Sequence, residues 1–174
     1  RILKEAERAA RIVRNLLTFS RHHRLETSWN DLREIVQDVL ELRQYECQMR
    51  NIRLTLELDP DLPPMLIDRY QLHQVLLNLV TNAEQAITMG GRGGGTIWIR
   101  TARDGARIRI EVADDGPGIK EEDLGKIFNP FFTTKPVGQG TGLGLSICYG
   151  IIQEHGGTIR VRSAPGLGAG FTIE

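Results

Sequence analysis

Between Arg1 and about Arg24 the apolar residues Ile2, Leu3, Ala6, Ala9, Ala10, Val13, Leu16 and Leu17 recur at steps of three and four, which places them on one stripe of a helix with a charged opposite face. One helix cannot bury such a stripe alone, so it calls for the following domain or for a coiled coil or bundle. The polar stretch Glu26 to Asn30 leads into a second helical pattern, Leu32, Ile35, Val36, Val39, Leu40 and Leu42, which Asn30 or Asp31 can cap. Strict alternation from Ile52 to Leu58 predicts a half-buried strand, and Pro60 to Pro64 a turn. Asp68 then opens a long helix through Leu72, Val75, Leu76, Leu79, Val80 and Ala83 to about Ile87.

After a loop from Gly90 to Gly95, Thr96–Arg100 and Arg107–Val112 predict a hairpin joined at Asp104-Gly105. Beyond Asp114 the pattern dissolves for about 25 residues into Gly, Pro, Phe and Thr, a length that marks a functional loop rather than a connector. A helix from near Thr141 to His155 and two strands, Thr158–Ser163 and Phe171–Ile173, complete the chain. The expected fold is α+β, a two-layer sandwich in which about three helices cover one face of a mixed sheet.

Composition narrows the partners. Lys+Arg 22 balance Asp+Glu 22 in 174 residues, so no global field favours nucleic acid or an anionic membrane, and any phosphate site must be local. Cys47 and Cys148 have neither metal-like nor scaffold spacing and read as small core residues in a reducing, cytoplasmic setting. No apolar run approaches the roughly 20 residues that span a bilayer. The chain opens without Met in a helical pattern and reads as a fragment.

Four segments carry candidate chemistry. Asn78 and Asn82 stand at i and i+4 and project from one helix face, either as hard, uncharged oxygen ligands for Mg²⁺ or as part of a solvated surface. Asp114-Asp115-Gly116-Pro117-Gly118-Ile119 ends a strand with a carboxylate able to accept from an exocyclic amine, or is ordinary turn chemistry. Phe128 to Lys135 holds three of the five phenylalanines, which suit anchoring a loop; Lys135 meets a phosphate or solvent. Gly138-Gln139-Gly140-Thr141-Gly142-Leu143-Gly144 frees backbone N–H groups for an anion at a helix start, or is simply flexible, and it fits neither the Walker nor the Rossmann pattern.

In order and spacing these segments resemble the ATP-binding core of sensor histidine kinases, within the group that includes gyrase, the heat-shock-90 chaperone and the mismatch-repair ATPase. Asn78 and Asn82 match the N box, Asp114-x-Gly116-x-Gly118 the G1 box, Phe128 to Phe132 the F box, and Gly140-x-Gly142-Leu143-Gly144-Leu145 the G2 box. The likeness covers Leu32 to the C-terminus, and Arg11 to Arg21 resembles the end of the second helix of the dimerisation hairpin. It divides the chain into a hairpin segment at 1–24 and a catalytic domain at 25–174.

The resemblance implies ATP or ADP as ligand, with Asp114 on the adenine amino group, Gly116, Gly118 and Ile119 about the ring, and Mg²⁺ on Asn82. Gln85, Phe132, Thr133, Thr134, Lys135, Gly140, Thr141, Gly142, Leu143, Gly144 and Thr172 complete the implied nucleotide contacts, under a lid from about Lys120 to Gly140. It implies transfer of the γ-phosphate to a histidine on the hairpin of the parent protein, a response-regulator receiver domain as partner, and a homodimer through the hairpin, with no direct membrane contact by this segment.

Asn78 separates the branches of that group. Its ATPase members usually carry there a glutamate that activates water, and a carboxamide takes no proton at neutral pH. A neutral imidazole acceptor needs no such base. His22, His23, His73 and His155 lie outside any phosphoacceptor motif; adjacent His22 and His23 point apart on a helix, and His155 suits a helix C-terminus as a cation. The phosphoacceptor is therefore expected outside this chain. The alternative is a regulatory nucleotide-binding pseudokinase.

Overall fold

The computed structural model describes residues 25–136 and 140–174. The expected N-terminal helix, with His22 and His23, and Gly138 and Gln139 of the glycine segment lie outside the described residues. Strand β1 (Ser28–Asn30) leads into α1 (Leu32–Met49), followed by β2 (Ile52–Glu57), β3 (Met65–Ile67) and α2 (Arg69–Met89). The hairpin β4 (Gly95–Asp104) and β5 (Arg107–Asp114), the short α3 (Glu121–Leu124), α4 (Gly144–Glu154), β6 (Ile159–Ser163) and β7 (Ala169–Ile173) complete the order.

Five strands form one sheet in the order β2-β4-β5-β7-β6; β2 runs parallel to β4 and the remaining neighbours are antiparallel, so the sheet is mixed as expected. Alternation decides its faces. Ile97, Ile99 and Thr101 of β4, Ile110, Val112 and Asp114 of β5, and Ala169, Phe171 and Ile173 of β7 are buried beneath the helices. The opposite face carries an ion-pair ladder in which Arg100 reaches Glu57 and Glu111, and Arg109 reaches Glu174.

Asp31 caps α1 by accepting from the Arg33 amide at 2.8 Å, and Asp68 caps α2 by accepting from Tyr70 and Gln71. Asp68 does more than the sequence implies. Its second carboxylate oxygen accepts from the Glu26 amide, while its own N–H donates to His155 Nε2 at 3.0 Å. Since Nε2 accepts, the proton sits on Nδ1, which lies 2.9 Å from the Ile151 carbonyl. His155 is thus a neutral crosslink between α4 and the start of α2, not the dipole-stabilised cation its helix-end position suggests.

Periodicity misses one feature entirely. β1 and β3 pair as a two-stranded ribbon, Trp29 opposite Leu66, and the Asn30 side chain donates to Ser28 within its own strand and to the Ile67 carbonyl across it. Two three-residue strands are too short for alternation to register. The last helix starts at Gly144 rather than Thr141, since Gly142 takes a left-handed φ of 68° that no helix can contain. Both cysteines are buried as expected; burial pushes the Cys148 thiol up to about 12, which leaves it inert.

Candidate nucleotide-binding site

A cavity of about 440 Å³ opens between α2, the C-terminal end of β5, the Phe131–Pro136 loop and the start of α4, a size suited to a small-molecule ligand. Helix α2 forms its floor. Gln74, Asn78, Thr81, Asn82 and Gln85 share one face of α2 and line the cavity, whereas Leu76, Leu79, Val80 and Glu84 face the interior. Glu84 is 1% exposed and is neutralised by two arginines of the α1 end, Arg43 and, at 2.7 Å, Arg50. Asn78 donates to the Gly144 carbonyl at 3.5 Å, which sets the first turn of α4 against α2.

At one end stands Asp114, 7% exposed, accepting from the Gly116 amide at 2.8 Å and from the Ala169 amide. Burial pushes its carboxyl up to about 6 despite those two donors. Gly118 and Ile119 continue the wall. Gly118 has φ 73°, and a β-carbon there would come within 2.1 Å of the Ala164 carbonyl oxygen, so no other residue fits. The Ile119 amide donates to Ser163 Oγ, which itself donates to the Gly168 carbonyl, pinning this wall to the β6–β7 turn. Asp115 accepts from the Thr96 amide at 2.8 Å and ties the end of β5 to β4.

At the other end Phe132, Thr133, Thr134, Lys135, Gly140, Thr141, Gly142 and Gly144 close the cavity. Gly142, left-handed at φ 68°, lies where a β-carbon would sit 2.3 Å from Phe131 C, and its carbonyl accepts from the Phe131 amide. Phe128 packs against Tyr149 and Phe171 with ring centroids 5.7 and 6.4 Å away. Lys135 reaches across the cavity, donating to Asn82 Oδ1 at 3.2 Å and to Gln85 Oε1.

Three expected nucleotide contacts do not face this cavity. Thr172 alternates with Phe171 on β7 and so points to the opposite face of the sheet. The Leu143 side chain turns into the interior at 2% exposure, and only its neighbours line the cavity. Gly116 borders a separate cavity of about 280 Å³ behind the Asp114 wall, and its amide serves Asp114. The lid boundary moves too: α3, the buried Ile127 and the half-buried Phe128 belong to the body, so the loop over the cavity starts after Phe128. Phe131 does not anchor; at φ 67° its ring is turned outward and 61% exposed.

Sequence reasoning misses several lining residues. Gln74 lies one turn before Asn78 and is open to the same i, i+4 argument. Ile147, Ala169 and Phe171 supply apolar wall, and their apolarity carries no signal beyond that of core positions. Among the described residues no group of three or more His, Cys, Asp or Glu side chains could hold a metal, and no helix is long and apolar enough to cross a membrane.

Residues 67–174 match the family of histidine kinase-, DNA gyrase B- and HSP90-like ATPases. The sensor histidine kinase ZraS of Klebsiella oxytoca is 43% identical over 98% of this chain, which spans only 36% of that relative's length. Among solved structures, full-length ShkA in complex with AMPPNP superposes with a TM-score of 0.84 at 28% identity, over 97% of this chain and 36% of the other. Histidine kinase ThkA in complex with the response regulator protein TrrA gives 0.79 at 36% identity, over 99% and 48%. An aspartate at one end, a carboxamide stripe along the floor and a glycine-rich rim thus sit on a fold shared with these kinases, and the chain belongs to the histidine kinase-, DNA gyrase B- and HSP90-like ATPase family.

Proposed function

We propose that this chain holds Mg²⁺-ATP and presents its γ-phosphate to a histidine on the hairpin domain of its parent protein. The observation that carries this reading is the charge inventory of the cavity. Asp114 is the only carboxylate among the described lining residues, and it stands at the end away from the glycine-rich rim. The nearest acidic residue on α2, Glu84, is turned into the interior and neutralised by Arg43 and Arg50. Where a water-activating base would stand, Asn78 offers a carboxamide, which favours a nucleophile that arrives already deprotonated, such as a neutral imidazole.

Asp114 accepts from the adenine amino group, while Gly118 and Ile119 let the ring lie against backbone. Guanine presents a carbonyl at that position, so the carboxylate selects adenine. The amides of Gly140, Thr141, Gly142 and Gly144 are available to the phosphates at the start of α4, where the helix dipole favours negative charge. Asn82 and Gln85 fit a magnesium ion: both are hard neutral oxygen donors, and in this structure both already hold a cation, the Lys135 ammonium. Bound there, the metal neutralises phosphate charge. The protein's remaining contribution is positioning.

Residues 1–24, in this reading, supply the end of the hairpin helix, and a receiver domain is the downstream partner, as TrrA is for ThkA. The test is transfer from γ-labelled ATP. The chain alone should remain unlabelled, and an added parental hairpin should acquire acid-labile, base-stable phosphate. Asn82→Ala should abolish that transfer. ATP binding without transfer to the matched hairpin would instead identify a regulatory nucleotide-binding module, and steady phosphate release would identify an ATPase.

A further inference from the structure

We propose that the Lys135 ammonium and the magnesium ion are alternative occupants of the same carboxamide oxygens, so that metal binding must expel the lysine and free it for the phosphates. The inference rests on the reading of Asn82 as a metal ligand. Lys135 Nζ lies 3.2 Å from Asn82 Oδ1 and is hydrogen-bonded also to Gln85 Oε1, one turn further along the same face of α2. A magnesium ion takes an oxygen ligand at about 2.1 Å in octahedral geometry. A divalent ion on Asn82 Oδ1 would therefore stand within a few ångströms of an ammonium bonded to that same atom. Like charges at that range in a partly dehydrated cavity repel strongly, and the flexible lysine is the partner that moves.

The way the lysine is held suits an occupant that can be displaced. Among the described residues its side chain meets two neutral carboxamides and no carboxylate. A carboxylate partner would have fixed it far more firmly.

Its destination is close at hand. Thr133, Thr134 and Gly140 flank Lys135 on the cavity rim, and a β-carbon on Gly140 would lie 3.3 Å from Lys135 Cδ. A lysine released from α2 thus stays beside the glycine amides that suit the phosphates. Without metal, the lysine is the one cationic side chain among the described cavity residues that can offset the triphosphate charge.

The test is the magnesium dependence of ATP affinity, measured calorimetrically in excess magnesium and in excess chelator on the 174-residue chain. For Lys135→Met the ratio of the dissociation constant in chelator to that in magnesium should rise by at least about fivefold over wild type, because in the wild type the metal has to displace the lysine from the carboxamides and in the variant it does not. A smaller rise, or a fall, overturns the proposal. Lys135 lies in a surface loop outside the core, so the variant folds. Asn82→Ala separates the two levels. If it keeps the wild-type magnesium dependence, Asn82 is not the metal ligand and the underlying reading fails; if it loses that dependence while Lys135→Met keeps the wild-type ratio, only the exchange fails.

Discussion

Replacing Asp114 with asparagine should make the protein more stable at pH 8 and worse at binding ATP. Burial lifts this carboxyl from the ordinary 3.8 to about 6, so at neutral pH the folded state carries an ionised group that it would rather hold protonated. The sign follows from the raised pKa. Stability from this group is fully present below pH 4 and is lost as pH rises through about 6. A difference of about two pH units corresponds to about 3 kcal/mol of destabilisation at pH 8. Asparagine removes that cost but has one side-chain oxygen for the Gly116 and Ala169 amides, which gives back about 1 kcal/mol. The net gain at pH 8 is thus about 1–2 kcal/mol, and near pH 4 it should vanish or reverse. Urea denaturation of both proteins at the two pH values, without nucleotide, measures the difference directly. ATP affinity should fall by roughly tenfold or more, since the amide trades an ionic acceptor for a neutral one. A variant that is less stable at pH 8, or whose advantage does not depend on pH, would refute the assignment of a strained carboxylate held in place for its ligand.

The remaining predictions concern the frame around the site. Glu84→Ala should cost about 3 kcal/mol in denaturant unfolding by removing the buried partner that Arg43 and Arg50 share, leaving Arg43 only the longer 3.8 Å pair to Glu46, and Arg43→Met with Glu84→Met should recover much of that loss. His155→Ala removes the acceptor of the Asp68 amide and the bond to Ile151, and should lower stability by about 1–2 kcal/mol; His155→Gln, which can donate and accept, should lose less. Gly142→Ala forces a β-carbon into Phe131 and a side chain into left-handed backbone, so ATP affinity should drop at least tenfold while far-UV circular dichroism stays unchanged, because the strain is confined to the rim. GTP should bind at least about tenfold more weakly than ATP in the wild-type chain, by competition calorimetry.

How much of this site is legible in the sequence depends on whether the residues lie on a regular element. Helix arithmetic places Asn78 and Asn82 on one face, and the same arithmetic reaches Gln74 and Gln85. It also turns Glu84 about 200° away from Asn82, so helical periodicity by itself directs the one glutamate beside the N box out of the cavity. That exclusion supports the kinase reading, because it removes the acid that an ATPase would use on water. The strands are equally orderly, and alternation turns Thr172 away from Asp114's face once the β5–β7 register pairs Glu111 with Thr172 and Asp114 with Ala169. Register is a long-range choice, and one sequence does not contain it. Lys135 and Phe131 have no such guide. Their loop has no period, and what directs Lys135 across the cavity is a pair of carboxamides some fifty residues earlier. His155 misleads for the opposite reason. Its place at a helix end suggests charge, yet a backbone amide 87 residues away requires a neutral acceptor. Elements therefore follow from neighbours in sequence, while the protonation and direction of individual site groups follow from partners that only the closed fold brings near.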